Sequence, residues 1–140
     1  YNRTIADNTD PKETVISDTP WAVAWYADRK SVWLPLDLDQ IEEVESMSEA
    51  QQTPVSSILI TPYPYHNKEF IKALGEKKSP YYKLYPLIMG SSGYRAKSSN
   101  LIDNDPNFSS LSQRYPHKQS LYTDGHIMLY SARPIKHSSD

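Results

Sequence analysis

The pattern of apolar and polar positions predicts that strands and helices alternate along the first half of the chain. The β-branched run "ETVISD" at 13–18 has the composition of a short strand. A helix is expected over 20–28, because Pro20 loses no hydrogen bond at a first helical position. The run "SVWLPL" at 31–36 predicts the second strand, in which Pro35 marks an end or an edge.

A second helix follows, capped by Asp37 or Asp39, with one apolar and one acidic face. The apolar residues recur at intervals of three: Leu38, Ile41, Val44 and Met47. The acidic, exposed residues are Glu42, Glu43, Glu45 and Glu49. A third strand is expected at 56–61 and a third helix at 67–76, whose inward residues are Phe70, Ile71 and Leu74.

This alternation predicts an α/β fold, a three-layer sandwich with a mostly parallel sheet and a C-terminal β-hairpin. We expect one soluble domain over 1–140, with a βαβαβα core at 13–76 after a polar lead-in. Residues 77–118, rich in Ser, Pro and Tyr, are expected to be irregular. Residues 119–133 form the closing hairpin, because Asp124-Gly125 between apolar positions is a strong turn signal.

Composition excludes several classes of protein and site. The chain has 140 residues, no cysteine and four glycines, which excludes disulfides and thiolate zinc sites and leaves little material for a glycine-rich phosphate loop. The apolar run at 21–27 is too short to cross a bilayer. The net charge of -2 is unevenly distributed: residues 1–60 have a balance of -7 and residues 61–140 one of +5, all of it between Lys68 and Lys97.

The aromatic segment "PWAVAWYA" is the most distinctive stretch. Trp21 and Trp25 lie four residues apart and therefore share one face of the helix. With Tyr26 they are expected to fill the layer beside the sheet as a structural aromatic helix. The alternative is that the rings stack on a sugar ring or a lipid chain.

Several residues are candidates to face a ligand. Asp18 lies where a strand ends and a helix begins, the crevice in which open α/β sheets bind ligands, although either it or Thr19 also suits an N-cap. Arg29 suits a phosphate, although a cation is also favoured by the helix dipole at that end. The remaining candidates are basic: Lys68, Lys72, Lys77 and Lys78.

The spacing of residues along the chain indicates no catalytic site and no metal site. The four histidines lack metal-ligand spacing, and no nucleophile elbow, P-loop or dinucleotide-binding motif occurs. The two acid-x-acid triplets, Asp37-Leu38-Asp39 and Asp103-Asn104-Asp105, occur in turn-like sequence. We therefore assign no catalytic residue, no metal and no cofactor.

The segment "VISDTPWAVAWYADRKSVWLPLD" resembles a stretch that follows the last membrane span of bacterial integral-membrane glycosyltransferases. These are similar to the dolichyl-phosphate-mannose–protein mannosyltransferases of glycosyltransferase family 39. The resemblance covers roughly residues 13–37, with weaker likeness in "ILIT" and "HIMLYSA". It implies a C-terminal soluble domain on the extracytoplasmic face of a bacterial membrane, in a polytopic enzyme that uses a polyprenyl-phosphate sugar. The family's catalytic acid lies in a loop between early membrane helices, which this chain lacks.

The resulting functional hypothesis is an accessory domain that is not catalytic on its own. Its expected partners are the membrane-embedded part of the parent chain and polyprenyl-phosphate sugar or anionic lipid headgroups, but not nucleic acid. The chain begins at Tyr1, in agreement with a domain excised from a longer protein. The alternatives are a free-standing sugar- or nucleotide-binding module and a small metal-dependent nucleotide-sugar enzyme.

Overall fold

The computed structural model describes residues 2–61, 63, 67–77, 106, 109–120 and 127–136. Within these ranges the chain has an α/β fold. The helices are α1 (Asn2–Asn8), α2 (Pro20–Ala27), α3 (Leu38–Ala50), α4 (Lys68–Glu76) and α5 (Ser109–Arg114). The strands are β1 (Thr14–Ser17), β2 (Lys30–Trp33), β3 (Val55–Ile60), β4 (His117–Ser120) and β5 (Met128–Ser131).

The five strands form one mixed sheet in the order β2-β1-β3-β5-β4. Strand β1 pairs in parallel with both β2 and β3, which confirms that the three predicted strands are parallel neighbours. Strand β5 is antiparallel to both β3 and β4, so the sheet is parallel at one side and antiparallel at the other. Strands β2 and β4 are the two edges.

Apolar side chains gather in two core clusters that draw on alternate residues of the same strands. The first core cluster contains Ile16, Leu34, Ile41, Ile58, Ile60, Leu111, Tyr115, Met128 and Tyr130. The second contains Ile5, Val15, Val23, Ala27, Leu59, Ile127 and Leu129. Helices α1 and α2 contribute to the second core cluster, and α3 and α5 contribute to the first.

The N-terminal residues are not the polar lead-in that the sequence predicted. They form α1, where Ile5 is fully buried and Asn8 is almost so. The Asn8 side chain donates to the backbone carbonyls of Thr4 and Lys136 and accepts from the Lys136 amide at 2.6 Å. This helix is therefore held by a polar side chain that no hydrophobic pattern marks.

Helix α3 follows the prediction at its cap and at Ile41 but departs from it at Glu45 and Met47: Glu45, expected to be exposed, is only 20% exposed and accepts hydrogen bonds from Arg114 and Tyr115. Asp37 is the N-cap and accepts from the Asp39 amide, and Ile41 is fully buried. Met47, expected on the apolar face, is exposed. Each residue turns the helix by about 100°, so residues three apart drift by about 60° per step, and the fourth of them points about 180° away from the first.

The C-terminal strands confirm the predicted antiparallel pair, which spans 117–131 instead of the predicted 119–133. Strand β4 begins at His117 and α5 precedes it, so the end of the segment 77–118 is regular, contrary to the prediction. The pairing aligns Ser120 with Met128 and His117 with Ser131. Asp124-Gly125 lies outside the described residues. No described helix has the length and apolar character needed to cross a membrane.

Candidate functional site

Helix α2 is short because a proline at its start and a left-handed residue at its end determine its two ends. Pro20 lies in its first turn, as predicted, and Thr19 is the N-cap residue, although its side chain makes no capping bond. At the other end Asp28 adopts a left-handed conformation, with φ 51°, which stops the helix. The result is an eight-residue helix between β1 and the edge strand β2.

The predicted burial of the aromatic residues of α2 is wrong. Trp21 is 58% exposed, Trp25 is 83% exposed and Tyr26 is 68% exposed. The helix instead packs its smaller residues inward: Pro20, Ala22, Val23 and Ala27 are buried. Small side chains let the helix approach the sheet closely, which leaves the large rings on the outside.

A fourth aromatic residue extends this surface onto the edge strand. Trp33, at the end of β2, is 59% exposed, and its ring centroid lies 5.3 Å from that of Trp21 with the planes tilted by 56°. This tilted geometry is one that aromatic pairs favour. We call Trp21, Trp25, Tyr26 and Trp33 the aromatic patch.

Asp18 occupies the predicted crevice at the carboxyl end of β1, but the structure places it in the interior. It is 1% exposed and accepts from the Thr61 amide at 2.8 Å and from the Thr61 hydroxyl at 3.0 Å. Since Thr61 directly follows β3, the carboxylate joins the ends of two neighbouring strands. Its observed contacts are those of a structural link.

Arg29 follows α2 and is likewise used within the fold. Its guanidinium donates to the carbonyls of Ala6 at 2.8 Å, Thr9 at 3.2 Å, Ala27 at 3.3 Å and Asp28 at 2.9 Å. It also donates to the Thr9 hydroxyl at 3.0 Å. Arg29 thereby links the end of α2 to the end of α1. Its N–H groups donate to carbonyl groups of the same chain, whereas the sequence predicted a phosphate as their partner.

The basic candidates lie on and after α4. Lys68, Lys72 and Lys77 are exposed, and Lys72 approaches Glu76 at 3.9 Å. Phe70 and Ile71 of this helix pack against the first core cluster, whereas α2 packs against the second. The helix of these lysines and the helix of the aromatic patch therefore pack against different core clusters. Lys78 lies outside the described residues.

Of the two acid-x-acid triplets, the structure describes only the first. Asp37 serves as the α3 cap, and Asp103-Asn104-Asp105 lies outside the described residues. Within the described part of the chain, no group of three or more His, Asp or Glu side chains is placed to hold a metal ion.

One buried polar cluster joins α3 to the end of α5. The Tyr115 hydroxyl donates to Glu45 Oε1 at 2.6 Å, and Arg114 Nε donates to the same oxygen at 2.9 Å. Burial, and after it the hydrogen bond to Glu45, holds the pKa of Tyr115 well above its ordinary value. The phenol therefore stays protonated as a donor, which suits a structural tie rather than proton transfer at neutral pH.

Trp33 is the member of the patch that sequence reasoning did not single out. One signal pointed to it: Pro35 indicated that the strand before it is an edge strand. Hydropathy treats alanine, valine and tryptophan alike as apolar and so does not show which residues of α2 face outward.

Comparison with known proteins adds no relative: no protein-family model, curated protein or solved structure matches this chain.

Proposed function

We propose that this chain is the accessory domain of an integral-membrane glycosyltransferase that uses a polyprenyl-phosphate sugar, with the aromatic patch as its binding surface. The domain lies on the extracytoplasmic face of a bacterial membrane and performs no transfer by itself. Its partners are the membrane-embedded part of the parent chain and the polyprenyl-phosphate sugar or anionic lipid headgroups around it.

The observation that carries this proposal is the exposure of the aromatic residues of α2. The segment that resembles the glycosyltransferases corresponds to β1, α2 and β2, and it contains all four residues of the patch. A soluble domain gains nothing in stability from leaving tryptophan rings in water, so exposed aromatic residues in one place favour a role in binding.

We further propose that the domain is a three-layer sandwich, with α1 and α2 on one face of the sheet and the other helices on the opposite face. The two core clusters support this arrangement because they use alternate residues of β1, β3 and β5. In it, the acidic side of α3 and the lysines of α4 lie across the sheet from the patch. The patch and the basic helix then contact different partners, or different parts of one partner.

A second function is favoured by one observation. Trp21 and Trp33 meet at a tilt and form an aromatic corner, on which a sugar ring can stack. This arrangement is compatible with a free-standing sugar-binding module. Isothermal titration with free monosaccharides and oligosaccharides distinguishes it from an accessory domain that has no affinity for free sugars.

Two measurements test the main proposal. The complete reading frame should encode several apolar segments of about 20 residues before Tyr1. The isolated chain should give no turnover with polyprenyl-phosphate-sugar or nucleotide-sugar donors, with or without divalent metal. A signal peptide directly before Tyr1, or turnover that Asp37→Asn or Asp103→Asn abolishes, would contradict the proposal.

A further inference from the structure

We propose that the aromatic patch inserts into the interface of a lipid bilayer, so that α2 lies on the membrane surface. This inference names the partner of the patch and rests on the proposed function in one respect, namely that the domain is next to a membrane. The binding is carried by the aromatic rings and not by the basic residues of α4.

The chemistry of the patch matches the headgroup region of a bilayer. Three of its four side chains are indoles and the fourth is a phenol. Each has an apolar body and a polar tip, and such residues concentrate at the membrane–water interface. No exposed Leu, Ile, Val or Phe accompanies them on the described part of α2 and β2, which favours the interface over the hydrocarbon interior.

The shape of the patch argues against a small ligand as its main occupant. Trp25 and Tyr26 stand on the outer face of a short helix, and Trp25 is 83% exposed. Small-molecule sites are concave and surround most of the ligand, whereas an outward helix face provides one wall at most. A flat, deformable partner fits such a convex surface better.

Its size argues against a second copy of the chain. With roughly 200 Å² for each complete aromatic side chain, the exposed fractions amount to about 500 Å². A stable protein interface needs about 800 Å² from each partner. A membrane contact has no such minimum, because it adds the contribution of each inserted ring.

The charges around the patch are also compatible with a membrane surface. The strongly acidic surface of the described chain is on α3, which packs against the first core cluster, while α2 packs against the second. Two exposed charged residues of opposite sign follow α2, Asp28 at its end and Lys30 at the start of β2, so the patch is flanked by no net charge of one sign there. A bilayer in contact with α2 would therefore not face the glutamates of α3.

The chain itself supplies the probe for an experiment. All three of its tryptophans lie in the patch, so intrinsic tryptophan fluorescence reports on this surface alone. Phosphatidylcholine vesicles should shift the emission to the blue. Lipids brominated near the carbonyl end of the acyl chain should quench it more strongly than lipids brominated near the methyl end. About 1 M salt, where the screening length falls to about 3 Å, should leave the binding nearly unchanged.

Substitutions identify the surface that binds. Trp25→Ala should lower the partition coefficient, measured by vesicle flotation, about tenfold, since burial of an aromatic side chain contributes roughly that factor. Met47→Ala is the matched control because it removes a large exposed side chain from α3, on the other face. It should leave the partition coefficient unchanged.

The outcomes separate this inference from the proposed function. Four results would each overturn the inference. They are no vesicle binding, binding that high salt abolishes, an equal loss of binding in Trp25→Ala and Met47→Ala, and a dimer that dissociates in Trp25→Ala. In those cases apolar segments upstream of Tyr1 would still support the accessory domain. Vesicle binding in a protein whose reading frame encodes no such segment would overturn the proposed function alone.

Discussion

The first two helices of the chain invert what their composition suggests. Helix α1 lies in a polar stretch, yet Ile5 is fully buried and the Asn8 side chain is hydrogen-bonded to the backbone of Lys136. Helix α2 is almost wholly apolar, yet Trp25 is 83% exposed. The difference shows that burial in this protein depends on which side chains fit against the sheet and find partners, rather than on the mean hydropathy of a segment.

The largest expected effect comes from the polar helix. Ile5→Ala should lower the free energy of unfolding by about 2–5 kcal/mol, because it removes a fully buried side chain and leaves a cavity in the second core cluster. Chemical denaturation followed by circular dichroism measures the loss. A change below about 1 kcal/mol would mean that α1 is not part of the core, and the comparison would fail.

The link between the two helices is the next point to test. Arg29→Met should cost about 1.5–3 kcal/mol, because carbonyls of α1 and α2 lose a partly buried charged donor. Arg29→Lys should recover only part of this, since an ammonium does not reproduce the planar set of donors. Arg3→Met, at an exposed position of α1, is the control and should not alter the unfolding curve.

Tyr115, which is buried, and Tyr26, which is exposed, allow the same comparison between residues of one type. Tyr115→Phe should lower the free energy of unfolding by about 0.5–1.5 kcal/mol, because it removes the hydrogen bond to Glu45 Oε1. Tyr26→Phe, on the exposed face of α2, should leave stability unchanged.

Denaturation at alkaline pH provides a second test of the hydrogen bond made by Tyr115. The pKa of Tyr115 is raised in the folded state, so as pH rises past about 10 the unfolded chain loses that proton first. The contribution of Tyr115 is therefore fully present below about pH 10 and declines above it. Urea denaturation between about pH 9 and 11 should show a smaller decline in Tyr115→Phe than in the parent chain. Equal declines would contradict the assignment.

The smallest expected effect belongs to the most apolar helix. Trp25→Ala should change the free energy of unfolding by less than about 0.5 kcal/mol, since the ring is exposed and α2 packs through its smaller residues. Denaturation under the conditions used for Ile5→Ala gives the direct comparison. A loss of about 3 kcal/mol or more would instead support the burial of these aromatic rings that the sequence predicted.

Local signals in the sequence predicted most of the parallel half of the fold. Pro20 marked the start of α2, Asp37 capped α3, and the β-branched run became β1. These features depend on neighbouring residues and on backbone conformation, which a sequence displays directly. The antiparallel pair around Asp124-Gly125 was predicted for the same reason.

The properties that could not be predicted depend on distant contacts. The place of Asp18 in the interior requires Thr61, 43 residues away, and that of Asn8 requires Lys136, 128 residues away. Asp18 could be placed at a crevice, but nothing in its surroundings in the sequence showed that the crevice was filled. The outward orientation of Trp21 and Trp25 follows from which residues of α2 pack against the second core cluster, and hydropathy does not encode that choice.

The position of β5 inside the sheet has a consequence for synthesis of the chain. Strand β3 is complete by residue 60, but its second neighbour is β5, near the other end of the sequence. Until residues 128–131 leave the ribosome or the translocation channel, one side of β3 has unpaired backbone groups and β4 has no strand to join. An unpaired strand edge is prone to pair with other chains, so nascent or truncated forms are the ones most exposed to aggregation. Rapid emergence of residues 128–131, or a chaperone that covers β3 until then, would increase the yield of folded protein.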